Sequence, residues 1–300
     1  MQIALKIDVD TYHGTLQGVP ALVADLHSRG VSASFYFSLG PDHTGRALRR
    51  VFRPGFLQKV ARTSVVSHYG IRTLLYGVLL PGPHIGRRAG SILRAVRDAG
   101  HETGIHCYDH VYWQDHVANQ SETWTRTQLM RAVDAYREAF GTAAQSHCAA
   151  GWQVNAHLFA LEEALGLSYA SDTRGTHPFL PVMDGIEGHC PQLPTTLPTL
   201  DELVGIAGAS VDDAIDHILA LSRTSGEQAQ VFTLHAELEG QQFRTPFLRL
   251  VDTWLKEGHS IGTLAALRST LNPAQLPKHL VSMSEIPGRS GVLALQGRAL

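Results

Sequence analysis

Cysteine is scarce in this sequence: Cys107, Cys148 and Cys190 are the only three in 300 residues, and they are scattered. That excludes a disulfide framework and points to reduced thiols in a cytoplasm. No apolar run is long enough to span a bilayer. There is also no charged leader ahead of an apolar stretch, since Met1-Gln2-Ile3 runs straight into a strand pattern. The expectation is a protein made and kept in the cytoplasm. An excess of basic charge is missing as well, and the formal net charge of −2 argues against a general nucleic-acid binder. Internal repeats and low-complexity tracts are absent, so residues 1–300 read as one large α/β domain.

The most informative absence is local. From His43 to Arg97 there is neither Asp nor Glu, while Arg46, Arg49, Arg50, Arg53, Lys59, Arg62, Arg72, Arg87 and Arg88 run through it. Phe52, Phe56, Leu57, Leu74, Leu75, Leu79 and Leu80 lie between them. A basic, apolar, acid-free insertion over 43–97 suits a segment lying on an anionic membrane surface. The competing reading is a covering subdomain whose arginines face water.

The remainder alternates strand and helix. Ile3 to Asp10 alternates and ends in acid; a helix follows from Gly18-Val19-Pro20 to Gly30, then a strand over Val31 to Ser38. Further units run through a strand at Glu102–Tyr108, a helix at Thr125–Phe140, a helix capped by Asn155, and a strand at Val231–His235. Repeated strand-then-helix units predict a (β/α) barrel of about seven or eight units. The segment Thr176–Pro198 reads as loop with a short strand near Cys190, and the proline-containing tail 272–300 as irregular.

The chemistry gathers where such a barrel places it, at strand ends. His106 and His110 are four residues apart, a spacing that lets two imidazoles converge on a cation such as zinc, though the spacing alone is weak. Asp8 and Asp10 end the first strand, and alternation sends both to one side. His235 ends a late strand. Cys107 should point away from its histidine neighbours and serve packing.

Asp8-Val9-Asp10, His106-xxx-His110 and Leu234-His235 resemble the NodB-homology polysaccharide deacetylases. The stretches Ser38-Leu39-Gly40-Pro41-Asp42, Ala149-Ala150-Gly151-Trp152, Ser171-Asp172-Thr173-Arg174-Gly175, Leu193-Pro194-Thr195-Thr196-Leu197-Pro198-Thr199, His235-Ala236-Glu237-Leu238-Glu239-Gly240 and Ile286-Pro287-Gly288-Arg289 are similar to a branch of that family. Its members deformylate 4-deoxy-4-formamido-L-arabinose carried on undecaprenyl phosphate, a step toward lipid A modification and polymyxin resistance. The resemblance covers nearly the whole chain. It implies a distorted (β/α) barrel and one divalent metal, zinc first with manganese and cobalt as alternatives, held by Asp10, His106 and His110. It also implies Asp8 as general base, His235 as general acid and Asp172 as the acid supporting that histidine. The implied partners are the lipid-linked sugar and the anionic inner-membrane surface, met peripherally from the cytoplasmic side.

One departure stands out. The family motif with Arg before Pro is replaced by Ala149-Ala150-Gly151-Trp152, so the arginine that steadies the base is missing from its usual place. Arg174 is the candidate either to replace it or to bind the lipid phosphate as a bidentate fork. Trp152, Glu237 and Glu239 are candidate substrate contacts, with solvated loop acids as the plainer reading of the two glutamates. Two other functions compete: a C–N hydrolase of a soluble sugar, and a metal- or glycan-binding module without turnover. The pairing of Asp8 with His235 favours chemistry, because binding alone needs neither base nor acid.

Overall fold

The structure is a computed structural model that describes residues 1–47, 72–224, 226 and 228–300. Arg49, Arg50, Arg53, Lys59 and Arg62 of the basic insertion lie outside the described residues.

Strand β1 (Gln2–Val9) organises the chain. Its odd residues Ile3, Leu5, Ile7 and Val9 pack outward into the main apolar core with the helices Val19–Ser28 and Gly90–Asp98. Its even residues point the other way: Ala4 joins an inner cluster, followed along the same face by Lys6 and Asp8. The period of two thus separates an apolar, helix-covered side from a polar interior. Strand β2 (Ser34–Ser38) repeats the pattern, with Phe35 and Phe37 in the outer core and Tyr36 inside.

Around β1 lies a seven-stranded sheet in which every pairing is parallel, made with β3 (Glu102–Cys107), β4 (Ser146–His147), β5 (Tyr169–Ala170), β8 (Gln230–His235) and β9 (Ser260–Gly262). The order is β5-β4-β3-β2-β1-β8, and β9 also pairs with β1. This is a parallel half-barrel, within the expected (β/α) class but open between β5 and β8. An irregular segment fills the opening. Ala170 donates to the Pro191 carbonyl, Leu193 to that of Ala170, and Thr196 and Leu197 both to that of Val231. Below the mouth the interior is plugged by a polar network in which the Tyr36 hydroxyl donates to Ser146 and Tyr169, and Tyr169 donates to Glu102.

Two expectations are corrected. The tail is not irregular: β10 (Lys278–Glu285) and β11 (Val292–Ala299) form an antiparallel hairpin. It joins β6 (Leu180–Met183) and β7 (Ile186–Glu187), inside the supposed loop, in a sheet ordered β11-β10-β6-β7. The prolines misled because Pro277 and Pro287 flank the strands, where a missing N–H costs nothing. The hairpin is held by burial of Val281, Leu293 and Ala294 and by exchange with the Arg174 backbone: Arg174 donates to Ala294 and accepts from Gln296. The end of the 43–97 insertion is ordinary barrel material, since Leu93 and Val96 of the Gly90–Asp98 helix are buried in the main core.

Candidate active site

The strand ends bring the first set of residues together. In the β1–β8 register Asp8 lies opposite His235, and β3 delivers His106. His110 opens the helix His110–His116, capped by Asp109, whose Oδ1 accepts from the Tyr112 N–H at 3.1 Å. Asp109 Oδ2 also pairs with His43 Nδ1 at 2.6 Å, tying the described start of the insertion to the His110 helix.

Asp10 Oδ1 lies 3.2 Å from His106 Nε2 and 3.4 Å from His110 Nε2. Separations near 3.4 Å are those of two donors each about 2.1 Å from a tetrahedral ion. The hydrogen bonding fits an ion bound between them. His106 Nδ1 lies 2.8 Å from the Cys148 carbonyl, which only accepts, so the proton sits on Nδ1. In the neutral imidazole the Nε2 lone pair then faces the Asp10 carboxylate, whose buried Oδ1 has no hydrogen-bond partner among the described residues. Such an arrangement is repulsive unless a cation lies between the groups. With no ion between them, positive charge on the imidazoles of His110, His106 and His235 takes the cation's place: burial opposes the Asp10 charge, yet these rings hold its carboxyl well below the ordinary range. These residues fit a divalent metal.

Asp8 stands beside this group, 3 % exposed. Its Oδ1 accepts from the Cys148 thiol at 3.3 Å and its Oδ2 lies 3.6 Å from Lys6 Nζ. His235 Nδ1 is buried without a hydrogen-bond partner among the described residues. Cys107 is buried with its sulfur against Ser38 Oγ at 3.3 Å, a packing role.

Other expected site residues are placed differently. Asp172 does not support His235. It is fully buried, accepts from the Ala149 N–H at 2.7 Å and Gln192 Nε2 at 2.8 Å, and pairs with His147 Nδ1 at 3.1 Å. His147 also meets Glu162 at 2.7 Å. Burial opposes the His147 charge, but Asp172 and Glu162 raise its pKa to about 9. Glu237 and Glu239 are not solvated loop acids but wholly buried. Glu237 Oε1 accepts from the Asp10 and Thr11 N–H groups and from Thr11 Oγ1, at 3.1, 2.8 and 2.8 Å, and so fixes the turn after β1. Gly14 makes room for it, because a Cβ there would lie 2.0 Å from Glu237 Oε1. Glu239 Oε2 accepts from the His235 N–H at 2.8 Å, and burial pushes its carboxyl up to about 8.

Trp152, at φ 54°, is 2 % exposed and is a platform inside the protein rather than a surface for a sugar. Arg289 and Arg174 lie 4.5 and 5.3 Å from its ring centre. Arg174 is committed to Glu202 and to the carbonyls of Thr195 and Leu197, so it does not steady Asp8. Arg289, carried by the tail hairpin, shares Glu202 and approaches Asp201 at 3.5 Å. Sequence reasoning passed over Lys6, Cys148, Asp109 and His147. Only Lys6 left a local signal, a charge two residues before Asp8 in an otherwise apolar run.

No protein-family model matches the chain. Among solved structures it is similar to one described as a polysaccharide deacetylase from Mycobacterium smegmatis, with a TM-score of 0.63 at 17% identity over 95% of this chain and 94% of that one. It is also similar to the Xyl-CE4 domain of a multidomain xylanase from the hindgut metagenome of Trinervitermes trinervoides, with a TM-score of 0.51 at 14% identity over 92% and 94%. At these identities the likeness concerns the fold. The sequence relatives carry more. One from Wigglesworthia glossinidia brevipalpis, bearing a 4-deoxy-4-formamido-L-arabinose-phosphoundecaprenol deformylase name, is 29% identical over 96% of this chain and 99% of its own length. One from Shewanella sediminis with the same name is 38% identical over 80% of this chain and 76% of its own. With the half-barrel fold and the carboxylate–imidazole group at its strand ends, that identity shows that the chain belongs to the 4-deoxy-4-formamido-L-arabinose-phosphoundecaprenol deformylase family and is a hydrolase of amide bonds.

Proposed function

We propose that the enzyme hydrolyses the formamide of 4-deoxy-4-formamido-L-arabinose carried on undecaprenyl phosphate, giving formate and the 4-amino sugar for lipid A modification and, through it, polymyxin resistance. The observation that carries this reading is the placement of Asp8 and His235 on adjacent strands, in register, beside the unpartnered oxygen of Asp10.

Asp10, His106 and His110 would hold one divalent ion, zinc by donor chemistry. Such an ion polarises a carbonyl and brings the pKa of a water to about 7. Asp8 takes the proton of the attacking water, its carboxylate fixed by Lys6 and the Cys148 thiol. His235 delivers a proton to the sugar nitrogen as the C–N bond breaks, since an amine leaves poorly as an anion. Glu239 holds the His235 backbone, and Glu237 holds the turn that presents Asp10.

A substrate on a polyprenyl chain stays at the membrane, so the mouth of the half-barrel must meet the anionic surface on the cytoplasmic side. Among the described residues no helix is long and apolar enough to cross a membrane. The described part of the insertion offers surface contact instead: Val78, Leu79 and Leu80 are 53, 76 and 36 % exposed on one turn, with exposed Arg72, Arg87 and Arg88 in the same segment. Apolar side chains that enter the interface and cations that meet headgroups are the two components of peripheral binding.

The test is formate release from the lipid-linked sugar in vesicles and from a short water-soluble analogue. Turnover of both, abolished by chelation and restored by zinc, supports the reading. Leu79→Asp should weaken vesicle binding and slow only the lipid-linked reaction. A purified, metal-loaded enzyme that releases no formate from either substrate overturns it.

A further inference from the structure

Lys6 is completely buried in the middle of β1. An ammonium in that position costs several kcal/mol unless its charge and donors are met. Its Nζ donates to the Ser171 carbonyl at 3.0 Å, lies 5.2 Å from the centre of the Trp152 ring, and has Asp8 Oδ2 at 3.6 Å. Burial works against its charge, but Asp8, Cys148 and Asp172 more than restore it. The other nearby cations, Arg174 and Arg289, are engaged by Glu202 and Asp201.

Asp8 needs such a hold. Asp8, His106 and Cys148 bring ligand atoms within 4.8 Å of one another, as Asp10, His106 and His110 do, and the two groups share His106. A freely rotating Asp8 would reach a cation bound by the second group and become a ligand instead of a base. We propose that Lys6 is the positioning residue that prevents this: its ammonium retains Asp8 Oδ2 on the interior side, while Oδ1 stays with the Cys148 thiol. Lys6 and Asp8 are two residues apart on one strand, so the pleat itself fixes their spacing. The kinetic part of this inference rests on the deformylase reading; the coordination part does not.

The experiment compares wild type, Lys6→Met, Asp8→Asn and the double variant, each loaded with Co(II). Lys6→Met should keep one cobalt per chain but show altered visible absorption as Asp8 turns toward the ion. Its kcat should fall about 100-fold, the scale of a misplaced base, with little change in KM. Lys6→Arg should recover part of that loss. In the Asp8→Asn background the same lysine change should alter neither the cobalt spectrum nor kcat by more than about twofold, because residues acting as a unit are non-additive. If Lys6→Met does not fold, the comparison of Asp8→Asn with the double variant still decides. Equal losses in both backgrounds, or wild-type kcat and spectrum in Lys6→Met, overturn the proposal. A wild type that releases no formate counts against the deformylase reading alone and leaves the cobalt spectra to judge Lys6.

Discussion

Two side-chain groups in this protein have nearly the same composition and opposite character. Asp10, His106 and His110 sit at the strand ends; His147, Glu162 and Asp172 lie on neighbouring elements, and both sets place their ligand atoms within 4.8 Å. In the second, no side-chain atom is left buried without a partner among the described residues, and a protonated imidazole bridges two acids. In the first, a carboxylate oxygen is orphaned among the described residues, and the neutral His106 ring turns its Nε2 lone pair toward it. Residue type therefore does not distinguish a metal centre from an ion pair. The tautomer does, and it is set by whatever the other ring nitrogen touches. A carbonyl at His106 Nδ1 leaves the lone pair of the neutral ring on Nε2, whereas two acids around His147 Nδ1 favour the imidazolium.

The comparison can be broken in four ways, the largest effect first. His106→Ala should remove the ion and take turnover below detection, since ion-assisted water activation and carbonyl polarisation disappear together; metal analysis and formate release check it, and full metal content with full activity would sink the assignment. Asp8→Asn should keep the metal and slow turnover by about 10²- to 10⁴-fold, the range of a general base. Loss of metal there would make Asp8 a ligand.

His147→Ala should do the reverse. It breaks a buried pair and leaves acids uncompensated, costing about 3–5 kcal/mol in denaturant unfolding while metal stoichiometry stays at the wild-type level. The pH dependence sharpens this. The His147 pKa is raised in the folded state to about 9, so its contribution is fully present below about 6.5 and lost as pH rises through about 9. The stability advantage of wild type over His147→Gln should therefore shrink between those values; an advantage that grows with pH would contradict the ion-pair reading. The smallest effect is Glu237→Gln. Burial and Asp10 push the Glu237 carboxyl well up, so little charge is lost; the amide oxygen can still accept from Thr11, but an NH2 group replaces the buried Oε2 beside the Asp10 turn, and metal affinity should fall about 10- to 100-fold, as outer-shell changes do. Unchanged affinity in a metal titration would leave Glu237 as packing only.

Much of this was legible in the chain, and β1 shows why. Alternation in Ile3-Ala4-Leu5-Lys6-Ile7-Asp8-Val9-Asp10 determines which side chains share a face, and the motif around His106, His110 and His235 identifies the family and the hydrolytic class. The half-barrel class followed from the same strand–helix rhythm. Roles that depend on partners distant in sequence were not legible. Asp172 and His235 share a motif family but not a contact, because Asp172 lies across from His147 on β4. Glu237 and Glu239 read as loop acids because nothing local reports that Gly14 leaves a space for one and the His235 amide awaits the other.

What the sequence determined by itself was periodicity: which residues can face inward, where strands end, and which residue types meet there. Only the tertiary structure decided the pairings. It gave Asp8 the Cys148 thiol, withdrew Arg174 to Glu202, made a hairpin of the tail and brought His106 Nε2 to Asp10. The reason is physical. A strand's pleat is written in two or three neighbouring residues, whereas charge and tautomer in a buried site are fixed by groups the fold brings together from tens of positions away, 42 for His106 and Cys148 and 28 for Arg174 and Glu202.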